Sequence, residues 1–144
     1  RPSRNVGGIE VPEGHRVLTY VSRGMESMRG FDVFLHVADH VCAARDDVTV
    51  LVIGEDRIAY GGDARFTQGR TFKQWVLQQR PADRSRIHFV GRLPPRELVN
   101  ALSLSDAHLY WTVHTQLVVV QRDELRRPGD RQRYRSGSRT DFRW

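Results

Sequence analysis

Thiol chemistry in this chain of 144 residues comes down to one side chain, Cys42. No disulfide can close within the chain, and neither a multi-cysteine zinc site nor a CxxC redox motif can be built. A reducing, cytoplasmic setting is therefore expected. Long apolar runs are missing too. The longest, Val48 to Ile53, is interrupted by Thr49 and falls far short of the roughly 20 residues that cross a bilayer. No charged-then-apolar leader opens the chain, so a soluble domain with no transmembrane segment is expected. Neither phosphate-loop pattern, GxxxxGK[ST] or GxGxxG, occurs anywhere. The histidines show no ligand spacing, so no metal is expected. Lysine is nearly absent as well: Lys73 stands beside 22 arginines, a bias typical of GC-rich coding rather than of one function.

The chain has one domain's worth of residues, enough to bury a core without staples, and its opening at Arg1 is expected to mark a piece of something longer. The net charge of +6 is unevenly spread. Residues 1–113 carry 15 basic and 13 acidic side chains, whereas residues 114–144 carry 8 and 4. A basic tail can meet nucleic acid or anionic lipid. This one lacks lysine and any regular spacing of aromatics, which argues against nucleic acid as a partner.

Residues 1–15 hold Pro2, Gly7, Gly8, Pro12 and Gly14 and read as a linker or incoming loop. A short apolar strand follows over residues 17–21. Phe31, Phe34, Leu35, Ala38, Val41 and Cys42 then recur at steps of three and four, the stripe of an amphipathic helix. "VTVLVIGED" is a β-branched strand without polar alternation, as suits a strand covered on both faces. Residues 54–70, with Gly54, Gly61, Gly62 and Gly69, read as a long loop. A helix is predicted over 71–80, stopped by Pro81, then a strand over 86–91. Pro94 and Pro95 open a further helix, ended near Ser105 and Asp106, and "AHLYWT" is a fourth strand. The alternation predicts a parallel sheet with helices on both faces. Ligands of such sheets bind at the carboxyl ends of the strands.

Residues 22–30, at the first of those ends, contain what an anion site requires. Gly24 and Gly30 permit close backbone approach, Arg23 and Arg29 supply planar donors for phosphate oxygens, and a helix begins near Gly30. By residue type alone, a phosphate cradle and a solvated arginine-bearing loop remain equal alternatives. Glu55 and Asp56 could meet a sugar or ribose hydroxyl or form an exposed turn. His88 and His36 read as packed or surface side chains, and His108 is open. Chain order assembles no Ser/His/Asp arrangement and no paired-carboxylate motif.

Taken in order, "YVSRGMESMRGFDVFL", "VTVLVIGED", "RIHFVGRLP" and "LSDAHLYWT" resemble the carboxy-terminal, nucleotide-sugar donor domain of retaining group 1 glycosyltransferases of family 4. The similarity covers about residues 16–113 and is greatest to a bacterial group whose first loop reads SRG-x-E-xx-RG. It implies a Rossmann-like parallel sheet flanked by helices, half of a two-domain GT-B fold. It further implies a transferase that moves a sugar from a UDP- or GDP-sugar to a glycan or polysaccharide acceptor, with no metal. In the resemblance, Arg23 and Arg29, with Gly24 and Gly30, correspond to the loop on the donor diphosphate. Gly91, Arg92 and Leu93 match the segment against the nucleotide base, and Glu55 falls with the donor-binding set. The acceptor domain would be a separate amino-terminal one, and the full enzyme could touch a membrane peripherally.

The resemblance stops after Thr112. The family continues into a loop and helix with an acidic or amide residue near the donor sugar, whereas this chain runs "VHTQLVVVQRDELRRPGDRQRYRSGSRTDFRW". Two readings stand for residues 114–144. One is a genuine basic extension, helical or disordered. The other is a frame-shifted continuation, since chosen GC-rich codons read one base over give a stretch similar to the missing segment. As a truncated donor half, the chain is expected to be inactive alone. The competing class is a non-enzymatic α/β binding module whose basic tail recruits an anionic partner.

Overall fold

The computed structural model describes residues 1–58, 61–111 and 117–121. A small hairpin, β1 (Asn5–Val6) and β2 (Ile9–Glu10), precedes the main alternation of β3 (Arg16–Val21), α1 (Phe31–Ala44), β4 (Val48–Ile53), α2 (Phe72–Gln79), β5 (Ile87–Gly91), α3 (Pro95–Leu104) and β6 (Ala107–Trp111). A further strand, β7 (Leu117–Gln121), lies beside β6. The sheet order is β5-β4-β3-β6-β7. The first four strands are mutually parallel and β7 is antiparallel. The result is a Rossmann-like α/β sheet. Its order reverses between β3 and β6, because the chain steps outward to β4 and β5 before α3 carries it back.

β4 explains why the sheet is covered on both faces. All six of its residues are buried. Val48, Val50 and Val52 face α1 and α2, in a cluster with Leu18, Tyr20, Phe31 and Phe34. Leu51 and Ile53 face the other way, toward Val17, Ala101 and Leu104. Thr49, the polar interruption, is buried with its hydroxyl 2.9 Å from His15 Nδ1. α1 follows the predicted stripe residue for residue, with Phe31, Phe34, Leu35, Ala38, Val41 and Cys42 buried. Its anchor is the stack of Tyr20 on Phe34, ring centroids 4.4 Å apart. Phe34→Ala there would remove about 3–5 kcal/mol.

Local chemistry sets the helix ends. Gly30 adopts φ 64° before α1 and its carbonyl accepts the Phe34 N–H at 2.8 Å. Thr71 and Gln74 form a reciprocal capping box at the start of α2, which satisfies two otherwise orphaned amides. α3 begins with proline at its first position, where the missing N–H is harmless.

Two segments depart from the sequence reading. Residues 1–15 are not a free linker. Gly7 and Gly8, at φ 56° and 82°, make the two-residue turn that hairpin twist favours. Val6 and Val11 are each 1% exposed within the second core cluster. Asn100 on α3 fixes the segment by accepting the Ser3 N–H at 2.7 Å and donating to the Ser3 carbonyl at 2.9 Å. Residues 117–121, expected in a helical or disordered tail, are a strand that pairs Leu117 with Trp111 and Gln121 with Ala107. The run Leu117, Val118, Val119, Val120 has the branched side chains a strand accommodates, and so short a return from β6 allows only antiparallel pairing. The remaining tail expectations, on Thr112, 114–116 and 122–144, lie outside the described residues.

Candidate functional site

The carboxyl ends of β3, β4, β5 and β6 surround one cleft of about 920 Å³, at the point where the strand order reverses. Its floor is stitched by backbone hydrogen bonds that continue the sheet past the strand ends. The Ser22 N–H donates to the Ile53 carbonyl at 3.0 Å and the Gly54 N–H to the Gly91 carbonyl at 2.9 Å. Gly54 is required here: at φ +137° a Cβ would stand 1.8 Å from the Ser22 carbonyl oxygen.

From that floor rises the loop of residues 22–30. The Ser22 hydroxyl donates to the Gly24 carbonyl at 2.6 Å and tightens the first turn. Arg23 is exposed and lines the cleft. Met25 and Glu26 turn inward, 2% and 3% exposed, and Ser27–Arg29 form a single 3-10 turn. Arg29 also lines the cleft. Its backbone is held from below by the Tyr20 hydroxyl, which donates to the Arg29 carbonyl at 2.8 Å. Burial pushes the Tyr20 hydroxyl up to about 12, so it stays a donor at every physiological pH.

The structure brings five of the sequence-selected residues to the cleft wall: Arg23, Arg29, Glu55, Arg92 and Leu93. Gly24, Gly30 and Gly91 shape the backbone beside it. Gly24 and Gly30 are buried, and Gly91 adopts φ 72° with open space where a Cβ would stand. Glu55 stands between two guanidiniums, 3.5 Å from Arg57 Nε and 4.0 Å from Arg92 Nη1. Asp56 is turned to a local task, accepting the Thr71 hydroxyl at 2.9 Å beside the α2 cap.

Arg57 and Tyr110 also line the cleft and were missed by sequence reasoning. Arg57 carried no signal beyond lying shortly after the end of β4. Tyr110 was hidden in the strand "AHLYWT", although one face of that strand's end had to open to the cleft.

The lining thus holds four arginines against one carboxylate, an excess that attracts anions. The lining also includes the apolar or aromatic side chains of Leu93, Pro94, Pro95, Leu98 and Tyr110. A ligand with an anionic part and a flat, weakly polar part matches both kinds of lining side chain.

None of His36, His88 and His108 lines this cleft. His108 Nδ1 lies 2.9 Å from the buried Thr19 hydroxyl, which is 2.8 Å from the Ser105 hydroxyl. Burial depresses the pKa of both His88 and His108. His108 is thus hydrogen-bonded within the sheet, His88 is half-buried on β5, and His36 is exposed. Among the described residues, no three His, Cys, Asp or Glu side chains are grouped so as to hold a metal ion, and no helix is long and apolar enough to cross a membrane. Comparison with protein-family models and with curated proteins returns no match to this chain.

Proposed function

We propose that this domain binds the nucleoside diphosphate part of a sugar donor and is the donor half of a retaining GT-B glycosyltransferase of family 4. The observation that carries the reading is the clustering of Arg23, Arg29, Arg57 and Arg92 in one cleft at the carboxyl ends of the parallel strands, together with the apolar side chains of Leu93, Pro94 and Leu98. Guanidiniums fork onto phosphate oxygens, and the Leu93, Pro94, Tyr110 side offers a surface for a base. In such a transferase, breaking the bond between the anomeric carbon and the diphosphate builds negative charge on the departing diphosphate. Arginines already in place stabilise that charge without reorganising. Arg23 and Arg29 take this role in the proposal. The acceptor, a glycan or polysaccharide, is assigned to a second domain, and no metal enters the scheme.

Titration calorimetry with UDP and with GDP tests the reading. Saturable binding of either, weakened at least tenfold in Arg23→Ala/Arg29→Ala, is expected. Absence of binding by the wild-type chain overturns it. Nucleic-acid binding that disappears on deleting residues 114–144 would instead favour a binding module with a basic tail.

A further inference from the structure

The segment that follows β4 is fastened to the Ser22-to-Gly30 loop at three separate points. Arg57 Nε donates to the Arg23 carbonyl at 3.0 Å. The Gly61 N–H donates to Glu26 Oε2 at 3.2 Å. Asp63 takes the Ser27 N–H at 2.9 Å on one oxygen and the Ser27 hydroxyl on the other. Glu26 and Asp63 are 3% and 7% exposed, and buried carboxylates do not give up such partners cheaply. The two loops therefore form one braced unit, with Arg57 rooted beside Arg23.

The bond at Nε has a second effect. It restrains the Arg57 guanidinium, whose side chain is 48% exposed, and leaves its terminal nitrogens as a fork for an anion. That side chain lines the same cleft as Arg23 and Arg29. Its neighbour Glu55, at 3.5 Å, is 40% exposed, and an ion pair so open to water is weak. A diphosphate, carrying more charge, can compete with it for the guanidinium.

We infer that Arg57 is a further anion-binding residue of the cleft, acting with Arg23 and Arg29 on a diphosphate and held ready by the brace through Glu26 and Asp63. The inference shares its cleft with the donor reading, but it is tested with inorganic pyrophosphate, so the two can fail separately. Calorimetry of the full chain with pyrophosphate is expected to show saturable binding, weakened about tenfold in Arg57→Gln, the loss typical of one charge-assisted hydrogen bond. Arg57→Lys keeps the charge and is expected to lose no more than about threefold. Melting temperatures of both variants report on the brace independently. An Arg57→Gln variant within about twofold of wild type, a Lys variant as weak as the Gln one, or no pyrophosphate binding at all overturns the inference. UDP or GDP binding that persists unchanged in Arg57→Gln refutes Arg57 and leaves the donor reading standing.

Discussion

Replacing Gly54 by alanine tests whether the backbone itself forms the floor of the cleft. At φ +137° the added Cβ would lie 1.8 Å from the Ser22 carbonyl oxygen and 3.0 Å from its carbon. The neighbouring atoms are backbone, tied into the sheet through Ser22 to Ile53 and Gly54 to Gly91, so no side chain can swing aside. The conformation alone costs a non-glycine residue about 1–3 kcal/mol, and the enforced shift adds about 1–3 kcal/mol more. A total near 4 kcal/mol corresponds to a fall in melting temperature of roughly 10–20 °C for a domain of this size. Gly91→Ala is the internal control. Its φ is also positive, +72°, but nothing lies within 4 Å of the new Cβ, so only the left-handed strain of about 1–2 kcal/mol applies. Thermal melts followed by circular dichroism compare the two directly. If Gly54→Ala melts no lower than Gly91→Ala, the close approach of the β3 and β4 ends is not as described.

Three other expectations follow from particular contacts. Asp63→Ala removes the acceptor of both Ser27 donors and should lower stability in urea by about 2 kcal/mol, with Asp63→Asn losing less. Arg84 makes a two-pronged bond to Asp39, at 2.9 and 2.8 Å, with the side chains 14% and 17% exposed. Arg84→Ala strands a half-desolvated carboxylate and should cost about 2 kcal/mol, while Arg84→Lys recovers only part because lysine lacks the fork. Tyr20 sets the alkaline limb. Its hydroxyl is raised from 10.0 to about 12 by burial, so the stability tied to the neutral form is complete below pH 10 and is lost as the pH rises through 12. The loss is on the order of 3 kcal/mol. Denaturation midpoints across that window should fall in the wild type and flatten in Tyr20→Phe.

The central alternation was legible because each element carries its own signal. The apolar run of β4, the three-and-four stripe of α1, the stop at Pro81 after α2, and the prolines at α3 each specify structure within a few residues. The amino-terminal hairpin was not legible, since its strands are two residues long and only the burial of Val6 and Val11 against distant residues gives them meaning. β7 was readable as a β-branched run but was overshadowed by the arginine-rich residues after it. In the site, Arg23 and Arg29 stood out because glycines flank them. Arg57 did not, because its place is set by bonds to residues 34 and more positions earlier, the Arg23 carbonyl and, through Gly61, Glu26. Hydrogen bonds between side chains and distant backbone leave no local pattern.

The central claim, that the arginine cleft binds a nucleoside diphosphate, is tested most directly by a crystal structure of the chain grown with UDP or GDP. The account predicts phosphate oxygens within hydrogen-bond reach of Arg23 and Arg29, between the ends of β3 and β6, with the base against Leu93, Pro94 and Tyr110. A nucleotide seated elsewhere, or one whose phosphates lie out of reach of both Arg23 and Arg29, would contradict it.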